Sequence, residues 1–209
     1  MRFTKEEILS LEKGYRTNLI NSVTGFKSAN LVGTVTPEGD TNLAIFSSVI
    51  HVGANPPLLG MLFRPVTVAR HTYENIKATG VFTLNHVSRD IFKAAHQTSA
   101  RYEDGVSEFE AVGLTPWYSP GFAAPFVAES TVKTGLKFVE EVEIKANGTL
   151  FMVGEIVELI LPEGMIAADG YIDIEEAGTV AISGLDSYHT TERLARLSYA
   201  KPDRLPEPL

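Results

Sequence analysis

The stretch Thr41–Thr72, TNLAIFSSVIHVGANPPLLGMLFRPVTVARHT, decides how the rest of the chain is read. From Asn42 to Val52, β-branched and aromatic residues alternate with small and hydroxylic ones, the period-2 pattern of a strand. Asn55-Pro56-Pro57 marks a turn, and Leu58 to Phe63 is a second apolar run. Arg64 follows, and Arg70-His71-Thr72 stands immediately before a helical pattern. Ser47 and Ser48 carry hydroxyls and little bulk, which leaves room for a flat ligand close to the backbone. Thr72 is expected to cap the helix, and a helix N-terminus beside Arg64 and Arg70 suits a phosphate. A flat ring with a phosphate describes a mononucleotide.

Working outward, Ala29 to Val35 reads as a strand joined to the one above through the turn Pro37-Glu38-Gly39-Asp40. Thr4-Lys5-Glu6-Glu7 has the form of a capping box opening a helix over 4–13 that ends at Gly14. After Thr72 a brief helix is stopped by Gly80, and Val81 to Val87 is a further strand. Ser88-Arg89-Asp90 caps a helix over Ile91–Gln97. Trp117 to Pro125 is an ordered loop rather than a linker. Phe138 to Ile144 and Leu150 to Leu161 form a hairpin, with Asn147-Gly148 as a type I′ turn signal and Gly154 as a bulge or bend. Tyr171 to Ile174 and Thr179 to Ser183 are short strands, and the tail over 187–209 holds a short helix around Arg193. The expected fold is mainly β, a β-barrel with appended short helices, in a single domain over 1–209.

Several chemistries are excluded on composition. The 209 residues carry 18 Lys and Arg against 26 Asp and Glu, a net charge of −8, which argues against a nucleic-acid surface. There is no cysteine, so disulfides, thiolate metal sites and cysteine nucleophiles are all ruled out. No apolar run approaches the ~20 residues of a membrane helix. The start, MRFTKEEILSLEKG, lacks the apolar core of a signal peptide, so a cytoplasmic protein is expected. His51, His71, His86, His96 and His189 fall in no metal-ligand spacing, and no metal is expected. Neither GxSxG nor a glycine-rich phosphate fingerprint occurs. Glu140 and Glu141 are successive strand residues and face opposite sides, so they cannot act on one substrate.

The order NLVGTVTPEGDTNLAIFSSVIHVGANPPLLGMLFRP, then RHTYENI, then TGVFTLNHV, is similar to the flavin reductase-like family, whose fold is the FMN-binding split barrel. The tail GLDSYHTTERLARLSYAKP resembles that of one subgroup, and the likeness runs from about Arg16 to Pro202. It implies FMN in an extended pocket of a homodimer. Asn42, Ala44, Ile45, Phe46, Ser47 and Ser48 would flank the ring and ribityl chain; Arg64, Arg70, His71 and Thr72 would hold the phosphate. The implied activity is hydride transfer from NADH or NADPH to flavin N5 and on to an unidentified acceptor, with an electron-acceptor protein among the candidate partners. His96 and His189 are candidates to reach the ring, Tyr188 or Trp117 to stack on a nicotinamide, and Lys27 to face the pocket. Two other functions fit the same residues: an FMN-binding electron carrier or flavin store, and a cofactor-free barrel serving as an interaction module.

Overall fold

The computed structural model describes residues 1–103 and 105–209. Helices α1 (Lys5–Ser10) and α2 (Lys13–Ser22) lead into strands β1 (Lys27–Ser28), β2 (Asn30–Val35), β3 (Thr41–Phe46), β4 (Val49–Ala54) and β5 (Pro57–Phe63). Then come α3 (His71–Thr79), β6 (Val81–His86), α4 (Phe92–Gln97), α5 (Glu108–Val112), β7 (Pro116–Trp117) and β8 (Phe126–Val127). The long hairpin of β9 (Lys133–Ile144) and β10 (Thr149–Ile160) follows, and β11 (Ala181–Ser183) and β12 (Ser187–His189) complete the strands. The mainly β reading with short helices holds.

The central sheet has the order β3-β2-β6-β9-β10-β5-β4, with every pairing antiparallel. Its two edges, β3 and β4, are therefore consecutive in sequence. The strand expected to run from Asn42 to Val52 is instead cut at Ser47-Ser48, where the chain crosses from one edge to the other. The two adjacent serines interrupt the period of two at the cut, between Phe46 and Val49. At the far side Ser48 is tied to β5: its hydroxyl donates to the Leu62 carbonyl at 3.1 Å, and its own carbonyl accepts from the Leu62 amide at 3.4 Å.

Two cores follow from the period of two. On β2, Leu31 faces one core with Leu43, Ala95, Phe109 and Ile182, while Val32 faces the other with Met61, Phe82, Leu136 and Met152. Ile76 of α3 closes this second core. The sheet curls around it, helped by register shifts in the β9–β10 pairing, one of them at Val153/Gly154 as Gly154 suggested. A Cβ on Gly154 would come within 2.6 Å of the Phe82 ring, so only glycine lets that ring sit against the strand. On β6 the residues between the apolar ones are polar and satisfied. Thr83 donates to the Pro125 carbonyl at 2.7 Å, and Asn85 bonds the Leu31 carbonyl and the Val127 amide. The Thr83 bond ties the end of the Trp117–Pro125 loop to the sheet.

Four local expectations are corrected. The capping box forms, with Thr4 and Glu7 bonded reciprocally, but α1 stops at Ser10. Glu12 then caps α2 by accepting from the Tyr15 amide at 2.9 Å, and Gly14 lies inside that helix. The β9–β10 turn is a four-residue loop over 145–148; only Gly148 has positive φ, at 72°, so Asn147 cannot make a type I′ turn. Tyr171 to Ile174 makes an isolated bridge, Ile166 with Ile172, rather than a strand. Around Arg193 there is no helix, because Arg193 and Arg196 lie over the Tyr171 ring and pair with Asp173 and Asp169.

Candidate functional site

A buried polar network sits where β3 meets the start of α3. The Asn42 amide donates to the hydroxyls of Thr34 and Thr72, each at 3.0 Å, and Asn75 donates to Thr34 at 3.1 Å. Four polar side chains are thereby satisfied by one another in the interior. Thr72 is thus the second residue of α3 and an acceptor for Asn42, not the helix cap. Arg70 occupies the cap position, and its backbone amide is bonded by Glu74 at 3.0 Å. No side chain caps the helix, so its first turn still presents backbone N–H groups. Gly80 ends it with φ 72°, as expected.

Outside this network lies a cleft of about 880 Å³. All ten residues assigned above to ring, ribityl chain and phosphate line it. Asn42, Ala44, Ile45, Phe46, Ser47 and Ser48 form one wall; Arg64, Arg70, His71 and Thr72 form the cationic end. Phe46 packs edge-on to Phe63 with centroids 5.0 Å apart, and Phe63 in turn meets Tyr73 at 5.8 Å, giving that wall a rigid aromatic backing.

β3 is an edge strand, so alternate residues turn their backbone groups away from β2. The Leu43 amide does so and donates to Glu108 at 3.0 Å. Ile45, two residues on, has the same parity, and its amide and carbonyl point from the free edge into the cleft. The charge pattern matches in sign. Among the described residues no carboxylate lies within ion-pair distance of Arg64 or Arg70, and the buried Arg70 Nε has no hydrogen-bond partner. A buried unpaired guanidinium donor costs roughly 1–3 kcal/mol or more, which an anion in the cleft would recover.

Other candidates lie elsewhere. His96 on α4 bonds the Tyr188 hydroxyl at 3.0 Å, and His189 on β12 bonds Ser183 at 2.8 Å and packs on Phe26 at 4.8 Å. Neither lines the cleft of this chain. Tyr188 is wedged between Phe92 and His96, and burial pushes its hydroxyl up to about 12. Trp117 packs on Phe126, and Lys27 is used to bond the carbonyls of Gly184 and Asn21. Glu141 accepts from the Tyr73 hydroxyl, while Glu140 is exposed. Among the described residues no group of three or more His, Asp or Glu is placed to hold a metal, and no helix is long and apolar enough to cross a membrane.

The cleft also contains Ser99, Arg101, Tyr102 and Glu108, none of which the sequence reading placed there. The first three lie after α4 in a polar segment without periodicity, and Glu108 opens α5. The signal that could have found them was the arginine in a serine- and alanine-rich loop.

Comparison with known proteins agrees with the mainly β fold. The flavin reductase like domain matches residues 24–179. The flavin reductase-like split barrel protein of Shewanella frigidimarina NCIMB 400 is 55% identical, with a TM-score of 0.93 over 96% of this chain and 100% of that one. Component B of nitrilotriacetate monooxygenase from Bacillus cereus is 20% identical, with a TM-score of 0.82 over 94% and 98% of the two chains. An FMN-binding protein from Thermus thermophilus, solved with 1-cyclohex-2-enone, is 16% identical, with a TM-score of 0.72 over 94% and 100%. The last two likenesses are of fold.

Proposed function

Because the chain belongs to the flavin reductase-like family, we propose that it is an FMN-dependent oxidoreductase taking hydride from NADH or NADPH for delivery to an acceptor. The observation that carries this reading is the unpartnered Arg70 Nε at the cationic end of the 880 Å³ cleft. Arg64, Arg70, His71 and Thr72 hold the phosphate, with the uncapped first turn of α3 beside them. Asn42, Ala44, Ile45, Phe46, Ser47 and Ser48 flank the ring and ribityl chain. The free edge of β3 offers the Ile45 amide and carbonyl to the polar rim of a planar heterocycle, much as it would to another strand. Bound FMN supplies the hydride-accepting chemistry, while the protein supplies orientation and charge. Residues 1–209 are read as one domain.

The same reading makes the chain a homodimer. It exposes 12862 Å², where a compact 22.8 kDa monomer exposes about 9,600 Å². The excess of roughly 3,000 Å² per chain, about 6,000 Å² for a pair, is at the upper end of what obligate dimer interfaces cover. It is concentrated at both ends: neither α1 nor α2 has a buried residue, and Leu194, Tyr199, Leu205 and Leu209 are almost wholly exposed.

Anaerobic mixing of FMN-loaded protein with NADH, and separately with NADPH, tests the turnover. Rapid bleaching of the oxidised-flavin absorbance with at least one of them supports an oxidoreductase. Bound flavin that stays oxidised with both contradicts it and favours an electron carrier.

A further inference from the structure

We propose that Arg101 is a third cation of the phosphate end, a binding residue supplied by the loop after α4; this rests on the flavin reading above. Arg64 closes β5, Arg70 opens α3, and Arg101 reaches the same cleft from a third element. Like the other two, it has no carboxylate within ion-pair distance among the described residues.

Its backbone is held from both sides without using its side chain. Thr98, which is buried, donates its hydroxyl to the Ala95 carbonyl at 2.7 Å, and Ser99 donates to the His96 carbonyl at 2.7 Å. On the other side the Tyr102 hydroxyl meets Gln97, accepting from its side-chain amide at 3.3 Å. The loop is thus pinned back onto α4 while the guanidinium is left over to serve the cleft.

Charge decides between a role and an accident. The only acid lining the cleft among the described residues is Glu108, whose Oε2 also accepts from the Leu43 amide. Among the described residues with a fixed charge, Arg64 and Arg70 against Glu108 leave one positive charge. A phosphate monoester carries about −1.5 to −2 at pH 7. Arg101 brings the fixed charge of the described lining to two positive, which matches it. The whole chain has a net charge of −8, so a local surplus of this kind is not a reflection of general composition.

Dissociation constants for FMN and for riboflavin, which lacks the phosphate, test this in the wild type, Arg101→Ala and Arg101→Lys. Arg101 is exposed, and equal thermal midpoints check that the variants fold. The expected result is that Arg101→Ala weakens FMN about tenfold, leaves riboflavin unchanged, and is partly rescued by Arg101→Lys. An unchanged ratio of FMN to riboflavin affinity in Arg101→Ala overturns the proposal. So does unchanged FMN affinity with a raised KM for NADH or NADPH, which would give Arg101 to the dinucleotide instead. A wild type that binds neither flavin overturns the flavin reading itself.

Discussion

Asn42 and Thr72, thirty residues apart in sequence, meet at 3.0 Å in the interior, the amide donating to the hydroxyl. This bond joins the edge strand of the sheet to the first turn of α3. The wall proposed for the ring and the end proposed for the phosphate are therefore built as one rigid unit. Thr72→Val keeps the shape but removes the acceptor, leaving Asn42 with an unsatisfied donor. A loss of about 1–3 kcal/mol in unfolding free energy is expected, measured by urea titration, together with weaker FMN binding. Thr72→Ser should preserve most of both.

Arg70→Ala separates binding from stability. The buried Nε has no hydrogen-bond partner within the chain, so removing it costs the protein little stability or adds to it. FMN affinity should fall at least tenfold, because charge-assisted phosphate contacts contribute roughly 1.5–3 kcal/mol. Thermal melts of the apoprotein, run beside FMN titrations, check both halves.

His86 sets an acid limit. Its ring is partly buried at the end of β6, bonds the Thr179 hydroxyl at 3.2 Å, and desolvation lowers its pKa from 6.5 to about 4. As pH falls below 6.5 the unfolded chain takes up the proton first, so stability drops through the window from 6.5 to about 4. The loss approaches about 3 kcal/mol at the acid end, at 1.36 kcal/mol per pKa unit. His86→Gln cannot titrate, and its denaturation midpoint should lose this part of the pH slope.

Removing the tail from Thr190 onward should shift the protein from dimer to monomer in sedimentation equilibrium. Leu194, Leu197, Tyr199, Leu205 and Leu209 all expose most of their surface in a single chain. A truncated chain that still dimerises at micromolar concentration would place the interface elsewhere, with α1 and α2 next in line.

How far the sequence could be read follows from which features are local. Apolar and β-branched runs exposed β2, β5 and β6, while Gly80 marked a helix end through its positive φ and Gly154 a bulge through the space it leaves for the Phe82 ring. The gap between β3 and β4 is marked locally only by Ser47 and Ser48, two small residues in succession, and the change of edge itself depends on pairings distant in sequence. Thr72 looked like a cap because its true partner, Asn42, is distant in sequence. The tail defeated a helical reading for a similar reason: Arg193 and Arg196 are drawn to Tyr171, some twenty residues back. Arg101 had no pattern around it at all, and its place in the cleft depends on how α4 is anchored.

The most direct measurement is an equilibrium titration of the purified, flavin-free protein with FMN, followed by flavin fluorescence and repeated with riboflavin. Saturation at one FMN per chain, with riboflavin bound at least tenfold more weakly, is the expected result. No binding of FMN, or riboflavin bound as tightly, would contradict a cleft built for a planar ring with a phosphate tail.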